Sequence, residues 1–509
     1  MKPLRFCSHA ALLLTLAPSL AWSQALTNIT SLYVGYSSRK VTANPTGELK
    51  AQLDTVDREL IAANRSGRRG EARRLLAKGN VLLSGKPWTD VADFNASLLL
   101  RTDRVVVESQ KTWTVRLEQL YSPAIELPRP LSAHATLVSR AVGAGAAAQP
   151  ASVVKDLGSF EGVSRDLHES PLAMEVDLRD VADGRYVIVV DVIDSARALG
   201  SATLAVVLRK GIDETVSRLD GEAKRAPEGM RAEILFPADR MRNVNRGKLE
   251  LRTLDVDRDF ANAEAVLAAV KAGKDPFAGR TGDIKRHYLL DAANEVMPYH
   301  MMVPSQYSAS RAYPLIIALH GLGGTEDSFF DAYGRKLPEL AEQRGYIVAA
   351  PLGYRVDGGY GWGLGTPPAD PLARRATELS EADVMQVLAQ VRSLYHIDET
   401  RIYLMGHSMG AIGTWKLAPK YPALWAALGA FSGQGAPATV EKTRAIPEFV
   451  VHGDADPTVN VAGSRAMVAA MKALNVDVKY IEVPGGNHGN VVEPNFAAMF
   501  DFFDAHKRP

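Results

Sequence analysis

The stretch that most restricts the fold is 401–410, Arg-Ile-Tyr-Leu-Met-Gly-His-Ser-Met-Gly. This apolar run with β-branched and aromatic members halts at G-H-S-M-G and continues with helical spacing through Met409, Ile412 and Trp415. A strand that turns straight into a helix can hold one hydroxyl at its apex in a strained conformation, provided the flanking positions carry almost no side chain. Gly406 and Gly410 meet that condition, and Ser408 is the candidate nucleophile. G-x-S-x-G alone also occurs as an ordinary turn, so the strand before it and the helix after it carry the weight.

From about Arg286 onward strands alternate with helices, which predicts an α/β domain over 281–509 with a mostly parallel sheet covered on both faces. Strands are expected at 287–290 and 299–303 as an entry hairpin, then at 313–319, 346–350, 401–405, 425–431, 448–451 and 478–483. Helices are expected at 381–394 and 494–506, the last with Phe496, Phe500 and Phe503 on one side.

In such sheets reactive groups collect at the carboxyl ends of the strands. The strand 313–319 runs into His320-Gly321-Leu322-Gly323-Gly324, whose glycines let the backbone bare an N–H. The N–H of Leu322 or Gly321, with that of Met409, would then form an oxyanion hole; a glycine-rich turn with no chemistry is the alternative. His452-Gly-Asp-Ala-Asp-Pro-Thr-Val459 closes the next-to-last strand, and Gly485-Gly-Asn-His-Gly489 closes the last. The chain order Ser, Asp, His suits a nucleophile, an acid and a base. His488 would take the Ser408 proton, and an aspartate would fix its tautomer. Spacing leaves both Asp456 and Asp454 open for that part. His320, His407 and His452 lie beside tight turns, where an imidazole commonly bonds the backbone. On the loop 353–368, Tyr360 and Trp362 are candidates to receive an aromatic or apolar acyl group, packing of the loop's own base being the alternative; Trp415 is expected in the core.

Taken together, G-H-S-M-G at 406–410, H-G-L-G-G at 320–324, H-G-D-A-D-P-T-V at 452–459 and G-G-N-H-G at 485–489 resemble the α/β-hydrolase serine esterases. The nearest groups are secreted esterases related to polyhydroxybutyrate depolymerases and feruloyl esterases, with the prolyl-oligopeptidase-like peptidases as neighbours. The resemblance covers 286–509 and implies an α/β-hydrolase fold. It also puts the catalytic acid at Asp456, through the family's H-G-x-x-D-x-x-V pattern. Trp415 and Lys420-Tyr421-Pro422 resemble the family's helix after the nucleophile; Ala411 departs from it, where many relatives carry another glycine. The implied reaction is acyl transfer to water through an acyl-enzyme on Ser408, acting on a small-molecule or polymeric ester with no cofactor. A peptidase of the neighbouring set would cleave peptide amides instead. A third possibility is a binding or surface module dominated by the first half of the chain.

Residues 1–25 read as an export signal: Lys2 and Arg5, an apolar core from Ala10 to Ala17, and small residues for cleavage near Ala21 to Ala25. A secreted or periplasmic protein is therefore expected. Nowhere does an apolar run reach the roughly 20 residues of a membrane span. The one cysteine, Cys7, lies inside that segment, so the mature chain has neither a disulfide nor a thiol nucleophile. Losing Lys2 and Arg5 from 59 basic residues leaves 57 against 58 acidic, a balance that does not suggest nucleic acid as a partner.

The remainder predicts a helical segment over 26–96, a β-sandwich-like domain over 97–210 with a flexible Ala/Gly-rich loop at 141–149, and a helical linker over 211–280. Arg65, Arg68, Arg69, Arg73 and Arg74 fall at helical spacing with Glu71 among them, which reads as a solvated face. Asp255, Asp257 and Asp259 imitate the start of a calcium loop, but Phe260 stands where its glycine is needed and Val266 where its bidentate glutamate is needed. No zinc-type ligand spacing occurs, and no metal is expected.

Overall fold

A computed structural model describes residues 29–109, 111–123, 125, 130–139, 152–194 and 197–509. The expected export signal and the loop 141–149 lie outside the described residues. The chain divides into two compact units. One comprises the residues up to Asp220 with Arg240–Asp259, the other Gly221–Asp239 with Phe260–Pro509. The division runs through the helix Glu228–Asn245. The segment 211–280, expected to be a linker, is therefore shared between the units.

The first unit opens with helices Ile29–Ala43, Gly47–Arg65 and Arg69–Leu83. Leu53, Val56, Leu60, Leu75 and Leu76 are buried together with Tyr36, whose ring occupies the space a Cβ on Gly79 would need, 2.4 Å away. From the basic run, Arg74 makes a forked pair with the buried Asp93. Next come β1 (Leu98–Arg101), β2 (Val106–Val107), β3 (Thr112–Gln119), β4 (Leu131–Ser139), β5 (Val153–Glu161), β6 (Leu172–Asp177), β7 (Gly184–Asp194) and β8 (Arg197–Leu208). They form one three-stranded sheet, β1-β3-β6, and one five-stranded sheet, β2-β8-β7-β4-β5. Alternate residues of both sheets, Val115, Leu117 and Met174 from one and Leu137, Ile188 and Val190 from the other, share a single buried cluster. At the start of the helix Val256–Lys271, Asp255 pairs with Arg185 and Asp257 with Arg209.

In the second unit, β9 (Gly282–Leu290), β10 (Glu295–Val303), β11 (Tyr313–Leu319), β12 (Ile347–Pro351), β13 (Ile397–His407), β14 (Ala427–Phe431), β15 (Glu448–Gly453) and β16 (Val478–Val483) form one eight-stranded sheet. Its order is β16-β15-β14-β13-β11-β12-β10-β9. The six strands from β11 to β16 are parallel, and the β9/β10 hairpin closes one edge antiparallel. Both faces are covered, as the continuous apolar runs require. Leu315, Ile317, Ile402 and Leu404 point into one core, Ile316, Ala318, Tyr403 and Met405 into the other. After β11 the chain goes to β12 on one side and then returns to lay β13 on the other. Strand order thus reverses between β11 and β13, leaving a crevice beyond their carboxyl ends. His320–Gly324 and Ser408 both sit there.

Beside β11 and β12, a buried polar cluster ties the hairpin to the chain that follows the H-G-L-G-G turn. His300 Nδ1 bonds Asp327 at 2.8 Å, its Nε2 bonds Asp283, and its ring stacks on Phe330 at 3.8 Å. Lys285 reaches both Glu326 and Asp327. Burial alone would lower the His300 pKa, but the hydrogen bonds it donates to Asp283 and Asp327, with the charges of those carboxylates, outweigh burial and raise it. A group whose folded pKa is raised adds stability that is complete below its unfolded value, near 6.5, and is lost as pH rises through the folded value. Thermal unfolding across the neutral-to-alkaline range is expected to show that loss. His300→Gln, which carries no titrating proton, is expected to remove it; an unchanged pH profile in the variant would contradict the assignment.

Candidate active site

β13 ends at His407 and the helix Met409–Leu417 starts at once, so Ser408 alone makes the turn. Its backbone has φ 56° and ψ −117°, a conformation that costs a non-glycine residue about 1–3 kcal/mol and persists only where the surroundings enforce it. Two absent side chains allow this packing. A Cβ on Gly410 would lie 1.8 Å from the Leu319 carbonyl oxygen, and one on Gly406 would lie 2.2 Å from the carbonyl carbon of Gly410. Helix, elbow strand and β11 therefore meet at backbone contact. The Ser408 N–H is fixed to the Phe431 carbonyl of β14 at 2.9 Å.

In the turn after β11, the Gly323 N–H bonds Val356 and the Gly324 N–H bonds the Gly321 carbonyl, with Gly323 at φ 80°. A Cβ on Gly321 would stand 3.4 Å from the Ser408 Cβ, so this turn lies against the serine. Met409 is the first residue of its helix, within the turn whose N–H groups have no intrahelical acceptor.

The loops after β15 and β16 are drawn together by a third glycine contact. A Cβ on Gly453 would lie 2.1 Å from the Gly486 carbonyl oxygen, and the N–H of Ala455 bonds that same carbonyl. Across this contact, His488 Nδ1 meets Asp456 Oδ2 at 2.7 Å. The Asp456 carboxylate is fully buried, whereas the His488 side chain is 20% exposed. The other Asp456 oxygen accepts from the N–H groups of Thr458 and Val459, and His452 Nε2 stands 3.1 Å from Oδ2. Burial would push this carboxyl up, but the hydrogen bonds from His452, His488 and Val459 and the nearby His488 imidazole hold it well below the usual carboxylate range. Asp454 is exposed, and its carboxylate accepts from the Gly485 N–H at 2.6 Å. Spacing could not separate these two aspartates; only Asp456 faces His488.

The three turn histidines all bond the backbone. His320 reaches the carbonyls of Gly321 and Leu352, His452 that of Val459, and His407 that of His488 at 2.8 Å. Tyr360 requires a correction. Expected on a substrate surface, it is fully buried at φ 56°, with its ring on Gly353 and Gly413 and its hydroxyl donating to the His320 carbonyl at 3.2 Å. A phenol enclosed in this way braces the H-G-L-G-G turn from below. The loop 353–368 is anchored by three buried residues of the helix Pro371–Leu394. Ser380 accepts from the Tyr360 N–H, Asp383 accepts from the Tyr354 N–H, and the Glu381 carboxylate lies where a Cβ on Gly361 would need room. Trp362 stays partly exposed, with the Lys420 ammonium 5.7 Å from its ring centre. Trp415 is buried and donates to Glu448 at 2.8 Å. Sequence reasoning did not single out Tyr333 and Ser432. Tyr333 meets the His407 ring and Ser432 bonds the His488 carbonyl, and a lone tyrosine or serine carries no pattern that would mark it.

Residues 291–477 match the esterase family, described as "Putative esterase". This match lies within the C-terminal part of the chain, which is similar to the esterases of that family. A feruloyl esterase B from Neurospora crassa is 32% identical over 26% of this chain and 42% of its own length. A bifunctional acetylxylan esterase/xylanase from Neocallimastix patriciarum is 28% identical over 32% of this chain and 22% of its own. The chain thus spans less than half the length of these relatives. Among solved structures, a ferulic acid esterase from Anaeromyces mucronatus superposes with a TM-score of 0.36 at 20% identity, over 46% of this chain and 93% of that one. An S-formylglutathione hydrolase from Agrobacterium tumefaciens gives 0.37 at 16% identity, over 44% and 96%.

If Asp456 orients His488, Asp456→Asn is expected to cut turnover by about 10³–10⁴-fold by favouring the wrong imidazole tautomer. Asp454→Asn is expected to leave turnover close to that of the unaltered protein. Steady-state kinetics on a p-nitrophenyl ester distinguish the two, and the opposite ranking would move the role to Asp454.

Proposed function

We propose that the protein is a serine hydrolase of carboxylic esters, with Ser408 as nucleophile, His488 as general base and acid, and Asp456 as the carboxylate that fixes His488. The observation that carries this is the strained serine at the strand-to-helix elbow, with a buried carboxylate bonded to an imidazole on the neighbouring strand tips. The Asp456 carboxylate stays ionised at any working pH, so it can hold the Nδ1 proton and stabilise the imidazolium formed when Nε2 takes the Ser408 proton. The attacked carbonyl becomes an oxyanion, for which the N–H of Met409 and that of Leu322 or Gly321 serve as donors. An alcohol leaves with the proton from His488. Water then attacks the acyl-enzyme, again deprotonated by His488, and releases the acid.

The substrate is a small-molecule or polymeric ester, and Trp362, with its partly exposed ring, is the loop residue proposed to meet it. The proposal includes export, carried by residues 1–25, and a β-sandwich at 97–210, supported by the core its two sheets share. Among the described residues no helix is long and apolar enough to cross a membrane.

A fluorophosphonate probe is expected to label Ser408, and Ser408→Ala to abolish both labelling and ester turnover. Labelling that persists at another residue would overturn the assignment. Turnover of peptide amides above that of p-nitrophenyl esters would replace the esterase by a peptidase.

A further inference from the structure

The base in this site sits on a turn between β16 and the last helix, and such a turn does not by itself hold an imidazole in place. The Asp456 bond fixes one end of the His488 ring. Its backbone is held separately: the His488 carbonyl accepts from His407 Nε2 at 2.8 Å and from the Ser432 hydroxyl at 3.1 Å. A carbonyl oxygen only accepts, so the Nε2 of His407 must carry a proton. On a neutral ring Nδ1 is then a bare lone pair, and the Tyr333 hydroxyl lies 2.9 Å from it.

We propose that His407 and Tyr333 are positioning residues for the hydrolysis, a proposal that rests on His488 being the base. The His488 carbonyl fixes His407 as its Nε2–H tautomer, and Tyr333 O–H, donating to the bare Nδ1, holds the ring from its other side so that His407 clamps that carbonyl. His407 immediately precedes Ser408 on β13. One rigid strand end therefore sets both the nucleophile and the backbone of the base, and their separation does not depend on the turn's own stiffness. A Cβ on Gly321 would stand 3.4 Å from both His407 Nδ1 and Ser408 Cβ, so the turn bearing the proposed oxyanion donors packs on the same point.

The clamp also has to stay uncharged, because the ring centres of His407 and His488 are 4.8 Å apart and His488 becomes an imidazolium during the reaction. Burial, reinforced by the His488 charge, lowers the His407 pKa to about 4, against the opposing pull of its bond to the His488 carbonyl and of Asp456. The titratable groups around it are His488, Asp456 and His452 from the neighbouring strand tips and the Tyr333 phenol, whose own pKa burial raises to about 12. The phenol thus remains a donor at every pH at which the enzyme would work.

His407→Leu removes the clamp, and a shift of the base by about 1 Å is expected to lower kcat on p-nitrophenyl butyrate by about 10²-fold with KM little changed. His407→Gln, whose amide N–H can reach the same carbonyl, is expected to recover most of that loss. Tyr333→Phe keeps the ring contacts. Imidazole ¹⁵N shifts of His407 are expected to report the Nε2–H tautomer in both proteins, with the Nδ1 resonance moved downfield in Tyr333→Phe by loss of the hydrogen bond it accepts. His407→Leu with unchanged kcat, or a Gln variant no better than Leu, would overturn the proposal; so would a Tyr333→Phe spectrum identical to the unaltered one. Should His407→Leu not fold, the Gln and Phe variants still decide the matter. Absence of fluorophosphonate labelling at Ser408 in the unaltered protein would instead defeat the underlying serine-hydrolase assignment, so the two failures are told apart.

Discussion

Everything at the strand tips depends on backbone meeting backbone where side chains are missing. Gly410 sits against the Leu319 carbonyl with no room for a methyl group, and Gly406 sits against Gly410 in the same way. This contact locks the elbow helix onto β11 and β13 and leaves Ser408 no relaxed conformation to adopt. The strain of about 1–3 kcal/mol at Ser408 is held by the packing of the surrounding sheet, whose inner strands are almost entirely buried. Gly453 against Gly486 repeats the device at the far side of the site, where it brings the carboxylate and imidazole loops together.

Electrostatics then divides labour among similar groups. Four histidines lie near the strand tips, and their partners separate them. His320 is fixed on carbonyls, His452 is fully buried between a carbonyl and the Asp456 carboxylate, His407 is pushed to the neutral form, and His488 faces that carboxylate while retaining a solvent-accessible edge. The carboxylate is enclosed yet ionised because several hydrogen bonds replace the water it lost. A like-charged neighbour would have worked against an imidazolium at His488; a neutral His407 does not.

The fold of the second unit was largely legible because its strands are buried on both faces and stand out as apolar runs between turn residues. β11 and β16 match their predicted bounds, and β9 and β10 form the expected hairpin. The first unit was harder. β5, Val-Val-Lys-Asp-Leu-Gly-Ser-Phe-Glu, is an edge strand with mostly exposed side chains and little alternation to detect. β6 did alternate, through Leu172, Met174 and Val176, and was detectable. The helix Ile29–Ala43 has apolar residues scattered around it and so lacks a clear stripe. Tyr360 misled because an aromatic residue in a glycine-rich loop looks the same in sequence whether it faces solvent or, as here, is enclosed beneath the turn.

By itself the sequence determined the residue types and their order along the chain: a hydroxyl between two glycines after a strand, then candidate carboxylates, then an imidazole, each at a strand tip. These are local properties, set by side-chain size and hydrophobic period over fewer than about ten residues. The tertiary structure alone decided which aspartate meets His488, which histidines are fixed on the backbone, and that Tyr333 and Ser432 belong to the site at all. Those outcomes depend on strand order. β11 and β13 are neighbours although 77 residues lie between Leu319 and Ile397, and no local pattern encodes which strands will lie side by side.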